Sequence, residues 1–163
     1  MGERVIMNRE ILFKAKRKDN GEWVEGHYCK IDETTYCTEE DYKRFPVQTH
    51  HYILHKAMTD WGMPNRFLIF EIDPDTLCQY TGLTDKSGKR IWENDIVKCK
   101  KYIGGNFIDY CIEVGYAEMK HGAFGLHRIK YDAYYRPFKD WLEDYEYEVI
   151  GNIFDNPELL EVE

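Results

Sequence analysis

Apolar and polar residues alternate along much of this chain with a period of two, the pattern of strands that bury one face. Ile11, Phe13 and Ala15 alternate with Leu12, Lys14 and Lys16, and Trp23 to Cys29 answers them after Asp19-Asn20-Gly21. That arrangement predicts a β-hairpin closed by a glycine turn. The clearest alternation runs through Ile108, Tyr110, Ile112, Val114 and Tyr116, after a turn at Gly104-Gly105-Asn106. Met119 to Gly122 then closes a hairpin, Phe124 and Leu126 open the returning strand, and Tyr145, Tyr147 and Val149 mark a last one. Arg66 to Ile72 is almost continuously apolar, which predicts a strand buried on both faces, ended by the turn Asp73-Pro74-Asp75. Helical signals are short. Glu39 to Arg44 sits in a polar connection, Pro137 suits the first position of a helix running to about Asp144, and Asn156-Pro157 should cap a final turn with Leu159 and Leu160. Trp61 to Asn65 reads as a loop.

The centre of the chain is Cys78 to Lys100, CQYTGLTDKSGKRIWENDIVKCK. Two candidate strands flank Asp85-Lys86-Ser87-Gly88-Lys89, a polar turn built around a glycine, and Asn94 stands where a bend with positive φ is expected. QYTGLTDKSGKRIWENDIV resembles the signature of the YopX family, small proteins encoded by phages and prophages. REILFKAKRKDNGEWVEG resembles that family's opening hairpin and YEVIGNIFDNPELLE its closing segment. Where Asn94 stands, the family pattern more often has glycine. The resemblance implies a mainly β fold containing an SH3-like barrel, in a phage or prophage protein of unknown biochemical role. It implies no reaction.

Composition fits that picture. With 43% hydrophobic and 15% aromatic residues, the chain has the apolar content of a folded protein, and its aromatics suit strands. The net charge of −8 disfavours a nucleic-acid partner at first sight, but Lys139 to Glu163 carries nine acidic residues and one basic, so residues 1–138 are formally neutral. Five cysteines without a CxxC pair point to reduced thiols in a cytoplasm, most of them serving as small core residues, and the phage resemblance implies that this cytoplasm is the bacterial host's. No apolar run approaches the length of a membrane span and the first residues lack a signal core, with residues 1–6 read as a loose leader.

Candidate chemistry is sparse. Ser87 is the only serine, and it lies in a turn without a nucleophile-elbow context; no Walker loop, dinucleotide fingerprint or HExxH pair occurs. His51 and His55 could share an ion on a helix, but on the strand expected for residues 50–55 they stand roughly 13 Å apart, so no metal site is expected. Asp73 and Asp75 read as turn residues before an acid and base pair. Lys14, Lys16, Arg17 and Lys18 read first as a solvated hairpin face. Lys86, Lys89, Arg90, Lys98, Lys100 and Lys101, with Trp92 and Tyr102 among them, form a local excess of +4 that resembles a platform for phosphates and stacked bases. The competing reading turns Lys98 and Lys100 to solvent while Val97 and Cys99 point inward.

Tyr131, Tyr134, Tyr135, Phe138 and Trp141 form a second candidate site, either the lid of the core or a protein interface. The expectation is thus a mainly β, YopX-like protein with an N-terminal β-hairpin subregion over residues 1–75, an SH3-like barrel over 76–163 and one or two short helices. It should lack a cofactor and a reaction and act by binding a protein partner or itself as an oligomer, without a membrane. The alternative is nucleic-acid binding through the basic stretch. Mimicry of nucleic acid by Glu143, Asp144, Glu146 and Glu148 is the weaker third reading.

Overall fold

The computed structural model describes residues 10–58, 60–103, 106–129, 135–138 and 145–161, with the side chains of residues 102–113 set aside. The chain is mainly β, its strands arranged in antiparallel sheets, and its described residues divide into two compact units: Ile11–Cys78, and those from Gln79 onward together with Glu10.

In the first unit, β1 (Phe13–Lys16), β2 (Trp23–Asp32), β3 (Thr49–Ala57) and β4 (Arg66–Glu71) pair in the order β4-β3-β2-β1. The predicted hairpin forms, with Gly21 at φ +73° in its turn and Phe13 opposite Gly26. Ala15, Val24, Ile53 and Ile72 make the core, with Phe13, Phe70 and Leu77 packed against it. Gly26 is required by close approach, because a Cβ there would lie 2.2 Å from the Leu54 carbonyl oxygen. The sheet curls until the end of β1 meets the end of β4: Arg17 and Ile72 form an antiparallel bridge, and the Lys18 amide donates to the Glu71 carbonyl at 3.0 Å. The short helix α1 (Glu39–Arg44) occupies its predicted span, with the Thr38 hydroxyl accepting from the Asp41 amide.

The strand expected to be buried on both faces is instead the edge strand β4. Phe67 and Ile69 are 63% and 65% exposed, and Leu68 is exposed as well. A continuous apolar run cannot be told from an edge by periodicity, since burial on the second face depends on whether another layer covers it.

In the second unit, the hairpin of β5 (Cys78–Thr84) and β6 (Arg90–Trp92) accompanies a five-stranded sheet. That sheet contains β7 (Asp95–Ile103), β8 (Asn106–Lys120), β9 (Ala123–Arg128), β10 (Tyr135–Pro137) and β11 (Tyr145–Asn152) in the order β10-β9-β8-β7-β11. Ile91, Val97, Cys99, Ala117, Phe124, Leu126, Phe138 and Tyr147 form its core. Phe138, just past one edge strand, meets Tyr147 on the other edge strand edge-to-face at 5.3 Å, so the sheet is curled. Among the described residues no ladder joins β10 to β11, and no barrel closes.

Two local expectations are corrected. Pro137 ends a strand rather than starting a helix; β10 is an edge strand, where a missing amide proton costs no ladder bond. Phe138, the next residue, is in 3-10 conformation, and residues 139–144 of that expected helix lie outside the described residues. Pro157–Leu160 forms a 3-10 turn as expected, but Asn156 does not cap it; its side chain accepts from the Asn152 amide at 3.3 Å, against Gly151.

Candidate functional site

The basic stretch is built on the β5–β6 turn and on β7. Asp85 organises the turn: its carboxylate accepts from the Ser87 hydroxyl at 2.7 Å and the amides of Ser87, Lys89 and Val149 at 2.8, 2.9 and 3.2 Å. Burial alone would raise its pKa, but the hydrogen bonds from Ser87, Val149 and Lys89 outweigh it and hold the carboxyl at about 2. With the Lys86 amide donating to the Tyr147 carbonyl at 2.9 Å, the turn is fastened to β11.

That fastening sets the electrostatics. The Lys86 ammonium lies 2.8 Å from Glu148 and 3.6 Å from Glu146. Lys98 and Lys100 of β7 stand directly opposite Glu148 and Glu146 of β11, while Val97, Cys99 and Tyr147 between them point into the core. The hydrogen bond with Glu148 raises the Lys86 pKa, and Lys86 in turn lowers that of Glu148, with Lys98 and Lys100 adding to it. Arg90 reaches Glu10 at 3.0 Å and lies over the Tyr80 ring, and Lys89 is exposed in the turn. Trp92 is only 4% exposed and packs on Tyr80, so its ring has no open face for a base. Lys101 pairs with Tyr145 in the ladder, and the side chain of Tyr102 lies outside the described residues. The basic stretch and half of the acidic quartet thus form one mixed-charge face; Glu143 and Asp144 lie outside the described residues.

The aromatic candidates separate in the same way. Phe138 is 2% exposed and belongs to the core. Tyr135 is half-buried, its hydroxyl donating to the Ala123 carbonyl at 2.5 Å. Tyr131, Tyr134 and Trp141 lie outside the described residues.

The remaining sequence candidates are engaged within their own unit. Lys14 and Lys16 lie over the Trp23 ring, Arg17 pairs with Asp19 and covers Phe70 at 4.2 Å, and Lys18 reaches Glu71 at 2.6 Å. Residues 49–57 are a strand: His51 meets the Tyr28 hydroxyl at 2.6 Å, and His55 the Glu25 carbonyl at 2.8 Å. His50 bridges Glu33 at 2.9 Å and Glu71 at 3.0 Å. Asp73 caps the 3-10 turn Pro74–Thr76 by accepting from the Asp75 amide.

What remains open is the apolar surface of β4 and the β3–β4 loop. Met58, Trp61, Met63, Phe67, Leu68 and Ile69 are all exposed, and the Trp61 side chain is wholly in solvent. The loop borders an open hollow of about 600 Å³ lined by Met58, Asp60, Met63, Pro64, Asn65 and Arg66. A second hollow of about 270 Å³ lies at the other end of β4, between Lys18, Asp19, Ile69, Phe70 and Glu71. Grouped exposed apolar side chains of this kind mark binding surfaces, whereas single ones do not.

The family model for YopX protein matches residues 12–161. The chain belongs to the YopX family. No curated protein matches it significantly. In this YopX-family chain the open apolar surface escaped the reading of the sequence, although a signal was present: a loop of Gly62 and Pro64 that nevertheless carries Met58, Trp61 and Met63. Large apolar residues in a glycine and proline loop have no strand or helix face to bury them.

Proposed function

We propose that the chain is a non-enzymatic protein-interaction module, an accessory protein of a phage or prophage acting in the bacterial cytoplasm. The observation that carries this reading is the grouped exposure of Trp61, Met58, Met63, Phe67 and Ile69 on one edge of the first unit. The candidate basic platform supports it indirectly, since Glu146 and Glu148 face its lysines and Trp92 is buried. The phage context rests on the family resemblance. In the second unit, the curled five-stranded sheet and the β5–β6 turn fastened to β11 favour an SH3-like barrel as its architecture.

The test is association measured by light scattering and by capture of host proteins, at low and high salt, with and without mixed DNA and RNA oligonucleotides. The expected result is protein association that persists in salt, ignores the oligonucleotides and is lost on replacing Trp61 and Met63 together by serine. A shift with oligonucleotides that disappears in salt would overturn the reading, as would the absence of any protein association.

A further inference from the structure

We propose that the partner of this surface is a second copy of the chain, joined through the free edge of β4 into a two-fold antiparallel pair; the inference rests on the interaction reading above and names its partner. The backbone decides which groups are available. Ile72 donates its amide to the His51 carbonyl, so Ile72, Phe70, Leu68 and Arg66 direct their backbone groups toward β3. By alternation Phe67, Ile69 and Glu71 direct theirs outward, and the Glu71 carbonyl is already taken by the Lys18 amide. Among the described residues, Phe67 and Ile69 are left as the strand residues offering outward donors and acceptors. An exposed apolar edge of this kind is a template for strand pairing unless charge, proline or a covering element blocks it.

The same geometry fixes the register. In an antiparallel pair, residues directly opposite one another either both direct their backbone groups to the partner strand or both direct them away from it. A two-fold axis through Leu68 sets Phe67 opposite Ile69 of the second copy and Ile69 opposite Phe67, using both outward residues of both chains. Moving the register toward Glu71 collides with Lys18, and moving it toward Asn65 leaves Ile69 without its apolar counterpart. On the solvent face this brings Phe67 and Ile69 of both copies into one cluster, and on the other face it sets Leu68 against Leu68.

Shape complementarity extends the contact beyond the strands. The antiparallel register carries the loop with Trp61 and Met63 of each copy toward the 270 Å³ hollow of the other, where Lys18 can lie over an indole face and Ile69 and Phe70 supply apolar walls. Such an interface is isologous: a projection and a hollow on one surface satisfy each other twice. The six exposed apolar side chains of Met58, Trp61, Met63, Phe67, Leu68 and Ile69 together offer on the order of 800 Å² per copy, the contribution of each partner to a standard-size interface.

The experiment uses the full chain. Light scattering and sedimentation at about 1–100 µM should give a dimer whose dissociation constant lies in the micromolar range or below. Replacing Phe67 and Ile69 together by lysine should weaken it more than tenfold; both side chains are exposed, so the melting temperature should stay near that of the parent. In a Cys37→Ser background, Leu68→Cys should cross-link to a dimer on mild oxidation, because the pair facing across the axis is a close, non-hydrogen-bonded one, whereas Arg66→Cys should not. A parent chain that is monomeric at 100 µM, or a dimer indifferent to the lysine pair, overturns the inference. A monomer that still holds a different protein through Trp61 and Phe67 overturns it as well, while leaving the interaction reading in place.

Discussion

At the residue scale, the most consequential side chain is Asp85. It joins a hairpin turn to a strand sixty-four positions away by accepting amides from Ser87, Lys89 and Val149. Asp85→Ala leaves those donors without their charged acceptor and is expected to cost about 2–4 kcal/mol, read from urea unfolding. Because the folded carboxyl is held at about 2 against an ordinary 3.8, its stabilisation is complete above the ordinary value and fades as pH falls toward 2. Unfolding midpoints between pH 2 and 6 should show that loss in the parent and lack it in Asp85→Asn. Asn94 is the second case. Its φ of +66° is a left-handed conformation, its amide donates to the Ala117 carbonyl and its carbonyl accepts from Ile153. Asn94→Gly should stay close to the parent, whereas Asn94→Ala should lose about 1 kcal/mol in the same measurement.

At the element scale, close approach of strands and one histidine bridge set the constraints. A Cβ on Gly115 of β8 would sit 2.3 Å from the His127 carbonyl oxygen of β9 and 2.8 Å from Leu126. Gly115→Ala should therefore push β9 away and destabilise by about 2–3 kcal/mol, with near-ultraviolet dichroism reporting the disturbed stack of Tyr116 on His127. In the other unit, His50 links the segment after β2 to β4. Hydrogen bonds to Glu33 and then Glu71 raise its pKa above 6.5, against the opposing effect of desolvation. A raised histidine stabilises fully below the unfolded value and loses that contribution as pH rises through the folded one. The parent should therefore lose more melting temperature than His50→Gln between pH 6 and 9.

At the scale of the whole molecule, the charge of −8 conceals an internal pairing of basic and acidic strands. Glu146 and Glu148 together screen Lys86, Lys98 and Lys100. The paired substitution Glu146→Gln and Glu148→Gln should therefore raise retention on immobilised single-stranded DNA, eluting at higher salt than the parent, with a small change in stability because the pairs are solvent-exposed. Equal retention of the two would show that the lysines are masked by something other than these carboxylates.

Local chemistry was legible from the residues themselves. The hairpin at Asp19-Asn20-Gly21, the helix at Glu39 to Arg44, the left-handed Asn94 and the strand carrying His50 to His55 each depend on neighbours a few positions away, and the sequence states those neighbours. Membership of the YopX family was legible for the same reason, since its motifs are local strings in a fixed order. Three things were decided only in three dimensions. Whether Arg66 to Ile72 is central or an edge depends on a covering layer that its own composition does not encode. Whether Lys98 and Lys100 form a bare basic face depends on β11, some fifty residues later, lying beside β7. Whether Phe138 binds a partner or fills the core depends on Tyr147 across the curl of the sheet. Strand identity is short-range physics and so belongs to the sequence; strand neighbours, and therefore exposure and net surface charge, arise from long-range pairing that only the fold supplies.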